Sequence, residues 1–93
     1  MSDSRRRVVI TGLGAITPVG NDVPATWGQL LAGGSGAAPI TIFEATREFT
    51  SRIACEVKDF DPLNFLEKKE ARRYDRFAQF SVGAAAEAMR SAG

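Results

Sequence analysis

Lys69, Arg72, Arg73 and Arg76 recur at i, i+3, i+4 and i+7, with Lys68 beside them. On a helix that spacing projects the cations from one face. Such a face can steer and hydrogen-bond an acidic protein or a phosphate group. Glu67, Glu70 and Asp75 stand among the cations, however, so a solvated, salt-bridged surface accounts for the same pattern. Cations at the start of a helix oppose the macrodipole by about 0.3–1 kcal/mol each, so several there ask for a reason. Residue types and spacing leave both readings open.

Other chemistries find less support. The segment VITGLGAITPVG, Val9 to Gly20, begins like a dinucleotide-binding turn, but the third glycine of that pattern would fall where Thr17 stands. Pro18 follows, where a phosphate-binding helix should open with free N–H groups. No lysine follows these glycines in the manner of a P-loop. Nucleophilic catalysis needs an activated thiol or hydroxyl with a base beside it, and the sequence contains no histidine. The single cysteine, Cys55, reads as a small packed hydrophobe on a strand. Glu44, Glu48, Asp59 and Asp61 lie in loops or at element ends and make no general-acid pair. No metal site and no cofactor site is expected.

The chain has 93 residues, of which 44% are hydrophobic, 25% charged and 9% aromatic, the balance of an ordinary soluble domain. Its net charge of +1 gives no global field for nucleic acid or an anionic membrane, so any electrostatic partner must be met by a local patch. No apolar run approaches the roughly 20 residues of a membrane span, and a lone cysteine fits a cytoplasmic setting. A chain this short, without disulfide or metal, is a doubtful independent domain.

The elements follow from the punctuation. Val8, Val9 and Ile10 predict a strand over residues 6–12, buried on both faces. A glycine-rich loop follows, then a helix over Pro24 to Ala32, capped by Asn21 or Asp22 and stopped by Gly33 and Gly34, with Trp27, Leu30 and Leu31 as its buried stripe. Residues 33–50 read as a loop with a short extended piece at Ile40 to Phe43. Ser51 to Val57 alternates as a half-exposed strand, with Ile53, Cys55 and Val57 inward. Asp61 and Pro62 start a short turn through Leu66. The longest element is a helix over Lys68 to Ser91, rich in alanine. At 100° per residue, Ala71, Tyr74, Phe77, Ala78, Val82, Ala85, Ala88 and Met89 share one face, while Lys69, Arg72, Arg76, Gln79, Gly83, Glu87 and Arg90 share the other. Phe80 falls on the polar side, either as a stray surface aromatic or under cover from another part of the protein. The alanines suit close packing against another helix or a sheet.

In order and spacing, RRVVITGLGAITPVGN, TWGQLLAGGSG, VKDFDP, KKEARRYDRFAQF and AAAEAMRSAG resemble the N-terminal region of the chain-elongating β-ketoacyl-[acyl-carrier-protein] (ACP) synthases, the synthase II group. The resemblance runs from Arg6 to Gly93. It implies an α/β fold, the N-terminal portion of the thiolase-like layered αβαβα architecture, with residues 1–93 as a partial domain of a longer protein that works as a cytoplasmic homodimer.

It also implies a reaction. A cysteine accepts the acyl chain from acyl-ACP, and decarboxylation of malonyl-ACP supplies the attacking carbanion. Two histidines stabilise the developing negative charge. Cys55 sits in IACEV, outside the family's nucleophile motif, so the catalytic set is expected beyond Gly93 and none of it in this chain, which alone is expected to be inactive. One family role maps onto residues present here: docking of the acidic carrier protein at Lys69, Arg72 and Arg73, with Lys68 and Arg76 as weaker candidates. The resemblance extends to polyketide ketosynthases and their catalytically silent chain-length partners. A small non-enzymatic carrier-protein binding module is a further alternative.

Overall fold

The computed structural model describes residues 5–93. Helix α1 spans Val23–Leu31, strand β1 Ala37–Pro39 and strand β2 Ile53–Cys55. A 3-10 turn at Pro62–Asn64 follows, then helix α2 at Lys68–Arg73 and helix α3 at Arg76–Ala92.

The capping chemistry sets most boundaries. Of the two candidate caps for α1, Asp22 fills the place, its Oδ1 accepting from the Ala25 N–H at 2.8 Å, with proline in the first turn. The helix ends in a Schellman motif. Gly33 takes φ +76° and donates to Leu30 O, and Gly34 donates to Gln29 O at 2.7 Å. Asp61 opens the 3-10 turn by accepting from the Leu63 N–H at 2.9 Å. The stripe of Trp27, Leu30 and Leu31 is not buried: Trp27 is 59% exposed, and no residue of α1 is fully covered.

Strands β1 and β2 form a two-stranded antiparallel ladder in which Ala38 faces Ala54. The extended piece lies at 37–39 instead of 40–43. The N–H groups of Thr41 and Ile42 turn instead to the Glu56 carboxylate, which also accepts from the Thr41 hydroxyl at 2.9 Å. That hydroxyl, then the backbone N–H groups and the Lys58 charge, hold the Glu56 carboxyl below its ordinary range against some desolvation. On β2, Cys55 and Ile53 are exposed and not packed inward; the partly covered side of the ribbon is the opposite one, with Ala54 and its partner Ala38.

No strand forms at residues 6–12. Strand pairing needs a neighbour for its N–H and C=O groups, and none pairs there among the described residues; Val8 is 90% exposed. The following glycines instead lie against α3. A Cβ on Gly14 would fall on the Ala84 carbonyl oxygen, and one on Gly12 on that of Ala88, so the alanine-rich half of α3 serves close backbone approach. Glu87 locks this contact: one carboxylate oxygen accepts from the Ala15 N–H and the other from the Val23 N–H, each at 2.9 Å. Hydrogen bonds to a charged acceptor contribute roughly 1.5–3 kcal/mol each when shielded, less at a half-exposed site such as this.

The single long helix is two. Tyr74 takes φ −101°, ψ 135° and Asp75 φ −66°, ψ 163°, extended conformations that end α2 and start α3. The inward face of α3 is also the one with polar character. Gln79 and Gly83 are buried, whereas Phe77 is 72% and Met89 74% exposed. Gly83 faces inward because any larger residue would meet Ile16, Phe60 and Phe65, the Ile16 Cδ1 at 2.6 Å from its Cβ. Phe80 is half-buried against Phe60, ring centroids 5.0 Å apart and edge to face.

Candidate functional site

The cations predicted to act together divide between two helices. Lys68, Lys69, Arg72 and Arg73 lie on α2, where Lys69, Arg72 and Arg73 keep their i, i+3, i+4 relation. Arg76 begins α3, with its guanidinium 4.8 Å from the Phe80 ring centre and 5.5 Å from that of Phe60, a cation–π clamp. The break removes part of the electrostatic puzzle. Arg72 and Arg73 now occupy the last turn of α2, where a cation complements the macrodipole, while Lys68 and Lys69 remain in the first turn.

All five cations are exposed, and among the described residues none of them forms an ion pair. The neighbouring Glu67, Glu70 and Asp75 form no ion pair with them in this structure. Six residues are too few for a helix to persist alone, so its placement depends on neighbours. The side chain of Gln79, 8% exposed, supplies one: Nε2 donates to Ala71 O at 2.8 Å and Tyr74 O at 3.2 Å, across the break. Sequence periodicity put Gln79 on the solvated side and missed this role. A glutamine between two phenylalanines in RFAQF was the available signal.

Elsewhere Lys58 is committed to the fold. Beside a cleft of about 300 Å³ at Thr17–Asn21, Lys58 Nζ donates to the carbonyls of Pro18, Gly36 and Glu56 at 3.0–3.2 Å. Its three hydrogens are thereby matched to three acceptors. Cys55 has no histidine to activate it, since the sequence holds none. Among the described residues no cluster of three or more potential ligands gathers for a metal, and no helix is long and apolar enough to cross a membrane.

Residues 5–93 match the family model described as "Beta-ketoacyl synthase, N-terminal domain". The chain belongs to the β-ketoacyl synthase family. It is 49% identical over 88 residues to a 3-oxoacyl-[acyl-carrier-protein] synthase 2 of Synechocystis sp., covering 95% of this chain and 21% of that protein. The Coxiella burnetii protein of the same name is 49% identical over 89 residues, 96% of this chain and 21% of its own length. The solved structure titled "The ishigamide ketosynthase/chain length factor" superposes with a TM-score of 0.86 at 42% identity, covering 97% of this chain and 22% of that one. The fold is thus the thiolase-like one of the ketosynthases, in its N-terminal portion. This β-ketoacyl synthase chain spans about a fifth of the length of the curated relatives it matches.

Proposed function

We propose that this chain is the N-terminal part of an elongating β-ketoacyl-ACP synthase and that the basic face of α2 docks the carrier protein. In the complete enzyme an active-site cysteine outside residues 1–93 takes the acyl group from acyl-ACP, releasing the carrier thiol. The carbon–carbon bond to the malonyl carboxylate then breaks. CO2 leaves, and the electron pair attacks the acyl-enzyme carbonyl, expelling the cysteine thiolate and giving 3-oxoacyl-ACP. Two histidines, also outside this chain, stabilise the charge that develops on oxygen. The working protein is a cytoplasmic homodimer that needs no cofactor.

The observation that carries the docking assignment is the row Lys69, Arg72 and Arg73, exposed and unpaired on α2, with Lys68 beside it. An acidic partner supplies the counter-charge that the chain itself leaves out. Arg76 contributes less, because its guanidinium is already engaged over two rings.

Salt separates this from a non-electrostatic contact. Between about 0.1 and 1 M ionic strength the screening length falls from about 10 to about 3 Å. Condensation by the complete synthase should therefore show a steeply rising KM for acyl-ACP over that range. The KM for an acyl-CoA surrogate should rise far less. Parallel behaviour of the two substrates would remove docking at this face.

A second reading has one observation behind it, the likeness to the ketosynthase/chain length factor structure. A polyketide ketosynthase keeps the nucleophilic cysteine downstream and a chain-length partner lacks it, so the residue at that place decides between them.

A further inference from the structure

The geometry points to Gln79 as the positioning residue that sets the orientation of the basic helix α2, an inference that rests on the docking role proposed for that helix. Four carbonyls at the end of any helix lack partners within it, and α2 is too short to hold itself in place. Gln79 answers both problems from the next helix. Its own N–H donates to Asp75 O at 3.0 Å, opening α3, while its side chain donates to Ala71 O and Tyr74 O. Three bonds from one residue thus brace the break on both sides.

Ala71 immediately precedes Arg72 and Arg73, so fixing its carbonyl fixes the turn that presents them. The orientation of the amide follows from its partners. Both contacts are carbonyl oxygens, which only the NH2 end can serve, and the reversed amide would set oxygen against oxygen. The Oε1 atom is buried without a hydrogen-bond partner among the described residues. The side chain therefore accepts an unfavourable burial at one end while spanning the break at the other. A preorganised α2 binds its partner without paying to order the helix on contact.

The test uses the complete synthase with acyl-ACP and with the matching acyl-CoA. Gln79→Leu removes both donors at similar volume. It should raise KM for acyl-ACP roughly threefold to tenfold, the effect of one to two lost hydrogen bonds. Turnover and KM with acyl-CoA should stay near the wild-type values. Because Gln79 acts through Arg72 and its neighbours, the same substitution placed on Arg72→Ala should add much less than it does alone. Gln79→Glu supplies a separate readout. Its carboxylate would face two carbonyl oxygens, but the protonated acid can donate to one of them. Its KM deficit relative to the wild type at the same pH should narrow as pH falls.

Equal losses on both substrates, or full additivity with Arg72→Ala, would make Gln79 a general stability residue and overturn the inference. If Gln79→Leu does not fold, Gln79→Glu decides alone: an acyl-ACP KM that tracks the wild type at every pH, or failure of this variant to fold as well, also overturns it. Should Arg72→Ala itself leave acyl-ACP KM unchanged, the docking role falls. Should Arg72→Ala act and Gln79→Leu do nothing, only the positioning role falls.

Discussion

Arg72→Glu in the complete synthase is expected to raise KM for acyl-ACP about tenfold to a hundredfold, some 1.4–2.8 kcal/mol of lost association. Turnover of a small acyl-CoA should be nearly unchanged. The asymmetry follows from where the charge sits. Arg72 is exposed, in the last turn of a six-residue helix, and its side chain makes no hydrogen bond, ion pair or ring contact among the described residues. Reversal turns an attractive contact with an acidic carrier into a repulsive one, and like charges brought together at an interface cost more than a simple truncation. A substrate without the carrier protein lacks the acidic protein surface that the reversed charge would repel. An equal loss on both substrates would place Arg72 in the catalytic architecture instead, and no loss on either would leave the basic face without the role proposed for it.

The 93-residue chain produced alone is expected to bind a hydrophobic dye strongly and to unfold without a cooperative transition, whereas the complete synthase should do neither. None of its hydrophobic side chains among the described residues is buried. Its radius of gyration is 17.6 Å, where a compact chain of this length has about 12 Å. It exposes 7748 Å², against roughly 5,200 Å² for a compact monomer of its mass. The apolar surface is also concentrated in places: Val8 to Ile10 on the extended segment, Trp27, Leu30 and Leu31 on α1, and Phe77 and Met89 on α3. Exposed clusters of that kind mark surfaces that another layer covers. A sharp thermal transition without dye binding would favour the alternative of a self-sufficient binding module.

What was legible in the sequence was local. Asp22, Gly33 and Gly34 fixed α1 almost to the residue, because caps are decided by neighbouring backbone groups. The turn opened by Asp61 and Pro62 follows from the same chemistry. The ladder of β2 came out shorter than Ser51 to Val57, since only β1 is there to pair with it. What escaped depends on tertiary contacts, most of them distant in sequence, and on one side chain that spans a helix break. Gly12 and Gly14 press on Ala88 and Ala84 of α3, Glu87 reaches Ala15 and Val23, and Gln79 reaches back over the break at Tyr74. These contacts turn the glutamine, glycine and glutamate of α3 inward, opposite to the face its hydrophobic periodicity selects. The apolar face that periodicity selects, with Phe77 and Met89, stays exposed among the described residues.

The cationic row on α2 was legible as a pattern and ambiguous as a function. Spacing could not tell a salt-bridged surface from a docking face; the structure adds that Lys69, Arg72 and Arg73 are exposed and form no ion pair among the described residues. Arg76 was grouped with them by a helical period that the extended backbone at Tyr74 and Asp75 interrupts.

The measurement that bears most directly on this account is a condensation assay of the complete coding sequence that contains this chain, given acyl-ACP and malonyl-ACP. Release of CO2 matched by formation of 3-oxoacyl-ACP, and abolished by replacing a cysteine outside residues 1–93, is the predicted result; a folded product that binds the carrier protein yet forms no carbon–carbon bond would contradict it.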